Sequence, residues 1–513
     1  MMQLIDFTGS ENMELILFLW TLKLLLLSYF FYKYAIGKVK VKKPREESLS
    51  VFPKVCIQLP IYNEPEHCQE LIQSVSELDW PIDQLEIQVL DDSNDQSSEL
   101  IAAKIAAIIK NKPGINIRHL RRPHRQGYKA GALNHGFQQS KAEYFAIFDC
   151  DFRPSKEFLK VTIPHFSNSE KIAAVQVPWG YYNANANIFT WVQSLLLICH
   201  FHRDHRGRFE RGLIFHFNGT AGVWKASVLQ NLGGFSANTV TEDLYLSLKA
   251  WIHGYRIWYA DVTPCKSELP PTLASFLIQQ RRWAKGNGQV LRLLSKDLIK
   301  NLPYGKLVKA DALLQQFGYG ISTFFVMVYF LSPLWINAYG HWLAKSHEFN
   351  TLKALDACLW IGVFTSFFLL FFPNNASLKY YTHSLPPLFF RFFLVISLIL
   401  LAPLFAIFIG FSYWQGLLVR LKKPGHLYFA RTPKKATKAT LSQRDHRTLD
   451  LMIGFAVFCS IYALWWGVII PFTYFSAQTA LLSYLKLNES IKLKSYFHRC
   501  LTKTVGSLVR TKA

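Results

Sequence analysis

The chain has 513 residues, of which 50% are hydrophobic and 15% aromatic, and its formal net charge is +23. This length allows more than one folding unit, and so apolar a composition disfavours a purely soluble enzyme. The basic residues accompany apolar runs instead of forming one stripe, which disfavours nucleic-acid binding and is typical of the cytoplasmic flanks of membrane helices.

The first apolar run, residues 13–34, is long enough to span a membrane and has one interior lysine, Lys23. A basic run at 38–45 follows, which predicts a retained transmembrane helix with residue 40 onward in the cytoplasm. We expect the inner or plasma membrane in a bacterium, and the Golgi or plasma membrane in a eukaryote. A cleaved signal peptide is the alternative, but the chain starts acidic and lacks a small-residue cleavage site.

From about residue 52 to 300, short apolar runs alternate with helical stretches. The runs that read as strands are KVCIQLPIYNE, LEIQVLDDSND, INIRHLRRP and EYFAIFDCDFRP. The stretches that read as helices are CQELIQSVSEL, SSELIAAKIAAIIK and KAGALNHGFQQS. This alternation predicts an α/β domain with a mostly parallel sheet and helices on both faces. Such sheets bind ligands beyond the carboxyl ends of their strands, and polar clusters follow these runs.

Apolar runs return after residue 304. Candidate spans lie at 321–338, 355–372 and 388–411, and a last run at 449–485 is long for one helix and short for two. If the basic segments 420–445 and 486–513 are both cytoplasmic, 449–485 is a tight hairpin and 386–421 includes a re-entrant or interfacial helix. The predicted organisation is a transmembrane helix (1–40), a cytoplasmic α/β domain (41–300), transmembrane and interfacial helices (301–421), a cytoplasmic loop (422–448), a transmembrane helix or hairpin (449–485) and a basic tail (486–513).

The Asp-Cys-Asp sequence at 149–151 follows an apolar run directly. On an extended segment the side chains of Asp149 and Asp151 project to one face, and Cys150 turns away. Carboxylate oxygens suit Mg²⁺ or Mn²⁺, which proteins often share with substrate phosphates. The alternative is a solvated strand end without a ligand. The eight cysteines form no Cys-x-x-Cys pair, so we expect reduced thiols.

Two other acidic clusters have structural as well as chemical explanations. The first, VLDDSND, is typical of an Asx-turn or a helix N-cap. In the second, TVTEDLYLSLKAW, Thr241 is a candidate cap for a helix that starts with Glu242 and Asp243, whose charges favour a first helical turn.

Two basic stretches are candidates for phosphate binding. QQRRWAKGNG at 279–288 supplies guanidinium groups that could neutralise a diphosphate, although an amphipathic helix at the membrane surface explains it equally well. Lys129 follows a glycine at a predicted helix start and is a second candidate phosphate contact.

Taken in order, the motifs resemble those of membrane-embedded, inverting family 2 glycosyltransferases: cellulose synthases, plant cellulose-synthase-like mannan and glucan synthases, and bacterial relatives. The matching phrases are QLPIYNE, IQVLDDSND, GYKAGALN, AIFDCDF, FNGTAGVWKASVL, TVTEDLYLSLKAWIHGYR, ELPPTLASFLIQQRRW and FARTPKK. The resemblance covers about residues 52–290 and the loop near 430. It implies a GT-A-like domain flanked by transmembrane and interfacial helices.

The resemblance also implies roles for individual residues. Asp243 would be the general base, and Asp151 and Asp149 would bind Mg²⁺ or Mn²⁺. The residues expected to bind the nucleotide sugar are Tyr62, Glu64, Asp91, Asp92, Lys129, Asp149, Gln279, Arg282 and Trp283. Those expected near the acceptor are Phe217, Asn218, Gly219, Thr220 and Glu242. A gating loop would contain Phe429, Arg431, Thr432 and Lys434, with arginine where cellulose synthases usually have valine.

The implied function is transfer of a hexose from UDP-glucose or GDP-mannose, with inversion, to a β-linked polysaccharide that is made processively and exported. The expected partners are the nucleotide sugar, a glycan or lipid acceptor and membrane lipids. One alternative is transfer of a single sugar to a membrane lipid, as ceramide glucosyltransferases do. A more distant alternative is a non-catalytic transporter or scaffold.

Overall fold

A computed structural model describes residues 11–38 and 51–321, followed by Thr323 and separate helical positions between 358 and 483. The predicted loop at 422–448 and the basic tail at 486–513 lie outside the described residues. So does most of the predicted spans 321–338, 388–411 and 449–485 and part of the span 355–372. The predictions for these segments therefore stay predictions.

Seven strands form the main sheet, in the order β3-β2-β1-β4-β7-β5-β8. Their bounds are β1 Val55–Ile61, β2 Leu85–Asp91, β3 Asn116–Arg121, β4 Tyr144–Ile147, β5 Ile172–Gln176, β7 Gly222–Lys225 and β8 Arg256–Tyr259. β7 runs antiparallel to both of its neighbours, and the other neighbouring pairs are parallel. β6 (Trp179–Tyr181) and β9 (Cys265–Ser267) form a separate parallel pair. The four predicted strands are β1 to β4.

Ten α-helices and one π-helix accompany the strands in the described part of the chain. Their bounds are α1 Glu11–Gly37, α2 Cys68–Ser76, α3 Ser97–Asn111, α4 Tyr128–Phe137, α5 Ile188–Ile198, π1 Cys199–His205, α6 Arg206–Glu210, α7 Ala226–Asn231, α8 Glu242–Ile252, α9 Leu273–Lys300 and α10 Lys306–Gln316. The three predicted helices are α2, α3 and α4. Shorter 3₁₀ turns occur at Ile82–Gln84 and Ile163–Asn168.

The sheet is covered on both faces because successive side chains of a strand point to opposite sides. Val55, Ile57 and Leu59 of β1 belong to the cluster that contains the apolar faces of α2 and α3. Cys56 belongs to the second cluster, which contains α4, α7, α8 and part of α9. The predicted GT-A-like, mostly parallel sheet with helices on both faces is confirmed for this part of the chain.

The strand order places a topological switch between β1 and β4. The chain moves from β1 outward to β2 and β3, then crosses back to place β4 on the other side of β1. A crevice opens at such a point beyond the carboxyl ends of the strands. Tyr62 and Glu64 follow β1. Asp92 follows β2, and Asp149 and Asp151 follow β4. The fold therefore brings the predicted acidic clusters to one edge.

The N-terminal helix α1 packs against π1 and α6. Gly207 of α6 lies so close to Ile36 that a Cβ on the glycine would be 2.2 Å from the carbonyl oxygen of Ile36. Lys33 Nζ is 2.5 Å from Asp204 Oδ1. Arg208 is 1% exposed and pairs with both Asp204 and Asp311. The half-buried ion pair of Lys33 and Asp204 thus joins α1 to π1.

Helix α1 coincides with the first predicted membrane span. Within the described residues, none of the helices combines the length and the apolar character that crossing a membrane requires. The membrane helix at 1–40 therefore stays a prediction.

Candidate active site

An open cavity of about 1240 Å³, part of it open to solvent, lies beyond the carboxyl ends of β1, β2 and β4. Most of the predicted site residues line it: Tyr62, Glu64, Asp92, Lys129, Asp149, Asp151, Asn218, Gly219, Glu242, Asp243, Gln279, Arg282 and Trp283. Residues from distant parts of the sequence thus converge on one space.

One end of the cavity combines an aromatic ring with an acid and two arginines. The guanidinium of Arg125 lies 3.3 Å from the centroid of the Tyr62 ring, a cation–π contact. Asp92 accepts hydrogen bonds from Arg122 Nε at 3.0 Å and Nη2 at 2.5 Å. Arg125 Nε is 3.9 Å from the same carboxylate. This end offers stacking surfaces and paired charges, which suit a nucleotide base and ribose.

Asp91 differs from Asp92, although the two are adjacent. Asp91 is the last residue of β2, is 1% exposed and is absent from the cavity lining. Its carboxylate accepts hydrogen bonds from Ser98 Oγ and, at 2.8 Å, from the backbone N–H of Ser93. Burial alone raises the pKa of Asp91, but bonds from His119, Ser98 and Ser93 outweigh it and set the pKa at about 2. The structure assigns Asp91 to holding the loop after β2, and only Asp92 faces the cavity.

The Asp-Cys-Asp segment is a turn, so the expectation of an extended segment is wrong. The backbone N–H of Phe152 donates to the carbonyl of Asp149 at 3.0 Å, which closes a tight turn directly after β4. Both carboxylates nevertheless line the cavity, and Asp151 is 4% exposed. Cys150 points into the core at 1% exposure, and burial raises the pKa of its thiol well above the usual value. The two acids therefore share the cavity because of the turn.

Lys129 joins the acids of the cavity to the loop at 217–220. Its Nζ is 2.6 Å from Asp149 Oδ1, 3.9 Å from Glu242 Oε1, and donates to the Gly219 carbonyl at 2.9 Å. Burial alone lowers the pKa of Lys129, but Asp149 and Glu242 outweigh it and the pKa is raised. Lys129 is therefore a fixed positive charge at the centre of the cavity.

Asp243 is the second residue of α8, and its carboxylate lies against the loop at 217–220. A Cβ on Gly219 would be 2.8 Å from Asp243 Oδ2. Burial and the charge of Glu242 raise the pKa of Asp243 to about 7, against the opposing effects of Lys129 and Arg282. A carboxylate with a pKa near neutrality can take up a proton at physiological pH.

The start of α8 is as predicted, but the cap is different. Thr241 occupies the N-cap position, and no side-chain bond from it closes the helix end within the described residues. Its side chain instead packs on α9, where a Cβ on Gly286 would be 2.3 Å from Thr241 Oγ1. The contact holds α9 beside Asp243.

Helix α9 delivers Gln279, Arg282 and Trp283 to the cavity. These residues are three and four positions apart, so they share one helical face. Thr272 caps the helix, because its Oγ1 accepts from the backbone N–H of Ser275 at 3.2 Å. Burial lowers the pKa of Arg282, and the nearby carboxylates of Glu242 and Asp149 oppose that shift. Arg282 is thus a half-buried cation beside the acids.

The predicted acceptor residues divide into two groups. Asn218, Gly219 and Glu242 line the cavity, whereas Phe217 and Thr220 do not. Phe217 is 1% exposed and packs on Trp224, with ring centroids 5.5 Å apart. Thr220 Oγ1 accepts from the backbone N–H of Asp149 at 2.9 Å and so ties the loop to the acidic turn. Phe217 and Thr220 therefore hold the loop at 217–220 in place without lining the cavity.

The remaining predicted residues, Phe429, Arg431, Thr432 and Lys434, lie outside the described residues. Sequence reasoning also missed part of the lining, namely Arg125, Trp179, Tyr181, Thr241 and Glu268. Arg125 stands in the same RRPHRQGYKAG stretch as Lys129, and its proximity in sequence was the available signal. Trp179 and Tyr181 belong to the short strand β6, which has no pattern to mark it.

The acidic turn suits a divalent metal by the chemistry of its donors. Around the centre of the cavity, the four carboxylates of Asp149, Asp151, Glu242 and Asp243 face the two cations Lys129 and Arg282. Mg²⁺ commonly uses one or two protein carboxylates and takes its other ligands from phosphates and water. Elsewhere in the described chain, His200, Asp204 and His205 have ligand atoms within 4.8 Å of one another.

Comparison with known proteins agrees with the chemistry of this cavity. Residues 56–233 match the family described as "Glycosyl transferase family 2". Probable glucomannan 4-beta-mannosyltransferase 3 of Arabidopsis thaliana is 39% identical over 254 residues, which are 49% of this chain and 45% of the relative. Glucomannan 4-beta-mannosyltransferase 1 of Oryza sativa subsp. japonica is 38% identical over 259 residues, 50% of each. The chain spans about half the length of these curated relatives.

Solved structures were also compared. Mannosyltransferase PcManGT from Pyrobaculum calidifontis, in complex with GDP-Man and Mn²⁺, is 18% identical with a TM-score of 0.46, and the match covers 77% of this chain and 98% of that one. S. aureus TarS 1-349 in complex with UDP is 16% identical with a TM-score of 0.39, covering 71% and 90%. On the family match and the plant relatives, residues 56–233 of this chain form a glycosyl transferase family 2 domain.

Proposed function

We propose that the chain is an inverting hexosyltransferase that makes a β-linked polysaccharide from a nucleotide sugar. One observation carries the proposal. A single cavity holds paired acids and cations for a diphosphate together with a carboxylate, Asp243, whose pKa is about 7. The relatives are glucomannan 4-beta-mannosyltransferases, so GDP-mannose is the first donor to test and UDP-glucose the second.

The transfer is a single in-line displacement at the anomeric carbon of the donor. The acceptor hydroxyl loses its proton to the carboxylate of Asp243 as its oxygen bonds to that carbon. The bond to the diphosphate breaks at the same time, so an α-linked donor gives a β-linked product. The guanidinium of Arg282 and the ammonium of Lys129 stabilise the charge that develops on the diphosphate. No covalent nucleophile is needed, and the buried thiol of Cys150 takes no part.

Asp151, with Asp149, would hold the divalent metal. A bare diphosphate would meet an excess of carboxylates in the cavity, so it needs a counter-charge to enter. When bound, Mg²⁺ or Mn²⁺ supplies that charge and polarises the phosphate oxygens.

The rate of transfer should rise with pH through about 7. Only the ionised form of Asp243 accepts a proton, and its pKa of about 7 places half of the carboxyl groups in the acid form there. We expect kcat/KM to fall about tenfold for each pH unit below that value. A pH profile of initial rates measures this, and a profile flat between pH 5 and 8 would contradict the assignment.

Membrane attachment and processive export are part of the proposal. Apolar runs with basic flanks on both sides of the α/β domain support a membrane protein whose catalytic domain is cytoplasmic. In this arrangement the acceptor end of the cavity would face the bilayer. A growing chain could then leave through the membrane region, and the predicted loop containing Phe429 and Arg431 would close over the donor.

The function is tested by incubating the purified protein with a panel of nucleotide sugars and either Mg²⁺ or Mn²⁺. We expect consumption of GDP-mannose or UDP-glucose, loss of activity with a chelator, and a β-linked polymer on linkage analysis. A single lipid-soluble product from labelled donor would instead show one-sugar transfer to a lipid. No turnover of any donor with either metal would contradict the proposal and favour a transporter or scaffold.

A further inference from the structure

Several hydrogen bonds hold the loop at 217–220 in place. Gln176 Oε1 accepts from the backbone N–H of Asn218 at 2.7 Å, and Gln176 Nε2 donates to the carbonyl of Thr220 at 3.1 Å. The backbone N–H of Phe217 donates to Ser247 Oγ at 3.0 Å. Gly219 has a φ of +83°, a left-handed conformation that glycine adopts readily and other residues rarely do. The loop is thus fixed in place beside Asp243.

The side-chain amide of Asn218 connects this loop to the π-helix π1. His200 Nε2 is 3.0 Å from Asn218 Oδ1, and His205 Nε2 is 2.9 Å from Asn218 Nδ2. The carbonyl oxygen of His216 is a shared partner, 3.0 Å from His205 Nε2 and accepting from Asn218 Nδ2 at 3.2 Å. His205 is fully buried, and the centroids of the two imidazoles are 4.1 Å apart. The two imidazoles therefore contact opposite ends of the Asn218 side-chain amide.

The π-helical geometry is what allows this arrangement. In an α-helix, residues five positions apart are roughly 140° apart around the axis. In a π-helix the backbone hydrogen bonds join residues five positions apart, so such residues lie nearly on one side of the helix. His200 and His205 are five apart, and only the wider turn lets both rings reach Asn218. Single π-helical turns are rare and often occur at functional sites.

The contact with the NH₂ end of the Asn218 amide requires a neutral His205, whereas the carbonyl end can accept from His200 in either form. An amide has one donor end and one acceptor end, and a neutral imidazole can donate through one nitrogen and accept through the other. A ring charged by protonation donates from both nitrogens and cannot serve the NH₂ end. Burial lowers the pKa of His200 and lowers that of His205 well below its usual value, which keeps the pair neutral.

A metal ion is a poorer explanation of the same cluster. The carboxylate of Asp204 is already bound by Lys33 at 2.5 Å and by Arg208 at 3.2 Å. The Nε2 atoms of both histidines are engaged with Asn218. A divalent cation would therefore have to displace these partners and face two fixed positive charges.

We infer that His200 and His205 are positioning residues that hold the loop at 217–220 beside Asp243 through the amide of Asn218. The inference rests on the proposed function for one point only, that the loop guides the acceptor. The geometry itself is independent of what the acceptor is. Neither histidine is required to touch the substrate.

The test compares His205→Leu, which keeps volume but removes both ring nitrogens, with His205→Gln, which keeps a polar group. His253→Leu, at an exposed histidine on the end of α8, is the matched control. Hydrogen–deuterium exchange is measured on the peptide that spans the loop. We expect protection of the loop to fall at least tenfold in His205→Leu and in Asn218→Ala, to recover partly in His205→Gln, and to stay unchanged in the control.

Kinetics provide the second readout. In His205→Leu, the KM for the acceptor should rise about tenfold or more while donor binding, measured with GDP and UDP, stays within twofold. The double variant with Asn218→Ala should be no worse than either single variant. Unchanged exchange in the loop, or additive losses in the double variant, would overturn the inference. Stoichiometric metal in the purified protein that is lost in His205→Leu would also overturn it. Exchange reports on the network even if the protein consumes none of the donors tested, so the two proposals can fail separately.

Discussion

Replacing Asp243 with asparagine should abolish transfer while leaving donor binding intact. Asparagine has nearly the same shape as aspartate but cannot accept a proton, so only the base is removed. General-base catalysis contributes about 10²- to 10⁴-fold, and we expect a loss of about 10³-fold or more in kcat. The affinities for GDP and UDP, measured by calorimetry, should change by less than twofold because the diphosphate contacts lie on Lys129, Arg282 and the acidic turn.

Glu242→Gln is the matched control for this variant. It removes the neighbouring negative charge that helps to raise the pKa of Asp243, so the acid limb of the pH profile should move to lower pH. Transfer at pH 8 should survive in this variant, although Glu242 lines the cavity. Normal turnover of Asp243→Asn, or an unmoved pH profile in Glu242→Gln, would contradict the assignment of Asp243 as the base.

Replacing Gly219 with alanine should reduce transfer about 10²-fold with little loss of donor binding. The new Cβ would stand 2.8 Å from Asp243 Oδ2, and the backbone φ of +83° is one that alanine rarely adopts. Either the loop or the carboxylate must move, and displacement of a catalytic group by about 1 Å can cost a hundredfold in rate. Initial rates with saturating donor and a titrated acceptor measure the effect.

Gly114→Ala separates backbone strain from the collision with Asp243. Gly114 has a similar φ of +90°, but a Cβ there would meet nothing within 4 Å. Thermal unfolding should show a comparable small destabilisation in both variants, since the strain is comparable. Only Gly219→Ala should lose activity. An equal loss in both variants would mean that general instability, and not the position of Asp243, limits the rate.

The part of the fold that sequence reasoning predicted is the part with regular patterning. The strands β1 to β4 are apolar runs followed by turn residues, and helices with an apolar face separate them. Strand β7 was not predicted as a strand, because its four residues, Gly222–Lys225, are too short to show a period. The antiparallel pairing of β7 with β4 depends on contacts distant in sequence, which no local pattern specifies.

The predicted site was incomplete for a related reason. Asp91 and Asp92 are identical in type and adjacent, and their different roles follow from the alternation of strand side chains and from where β2 ends. The wrong expectation for the Asp149–Asp151 segment came from extending β4 past Ile147 into the turn. The contacts of Asn218 with His200 and His205 depend on a π-helix, a geometry that local sequence patterns do not specify.

The ion pair that joins α1 to π1 can form only in a certain order during synthesis. Lys33 is separated from Asp204 by 171 residues. Helix α1 leaves the ribosome first, yet its partners follow much later. At roughly 5–20 residues per second, the interval between Lys33 and Asp204 lasts roughly 9–34 s. Helix α1 therefore stays without this partner for seconds, and it can dock on π1 only after residue 204 has been synthesised.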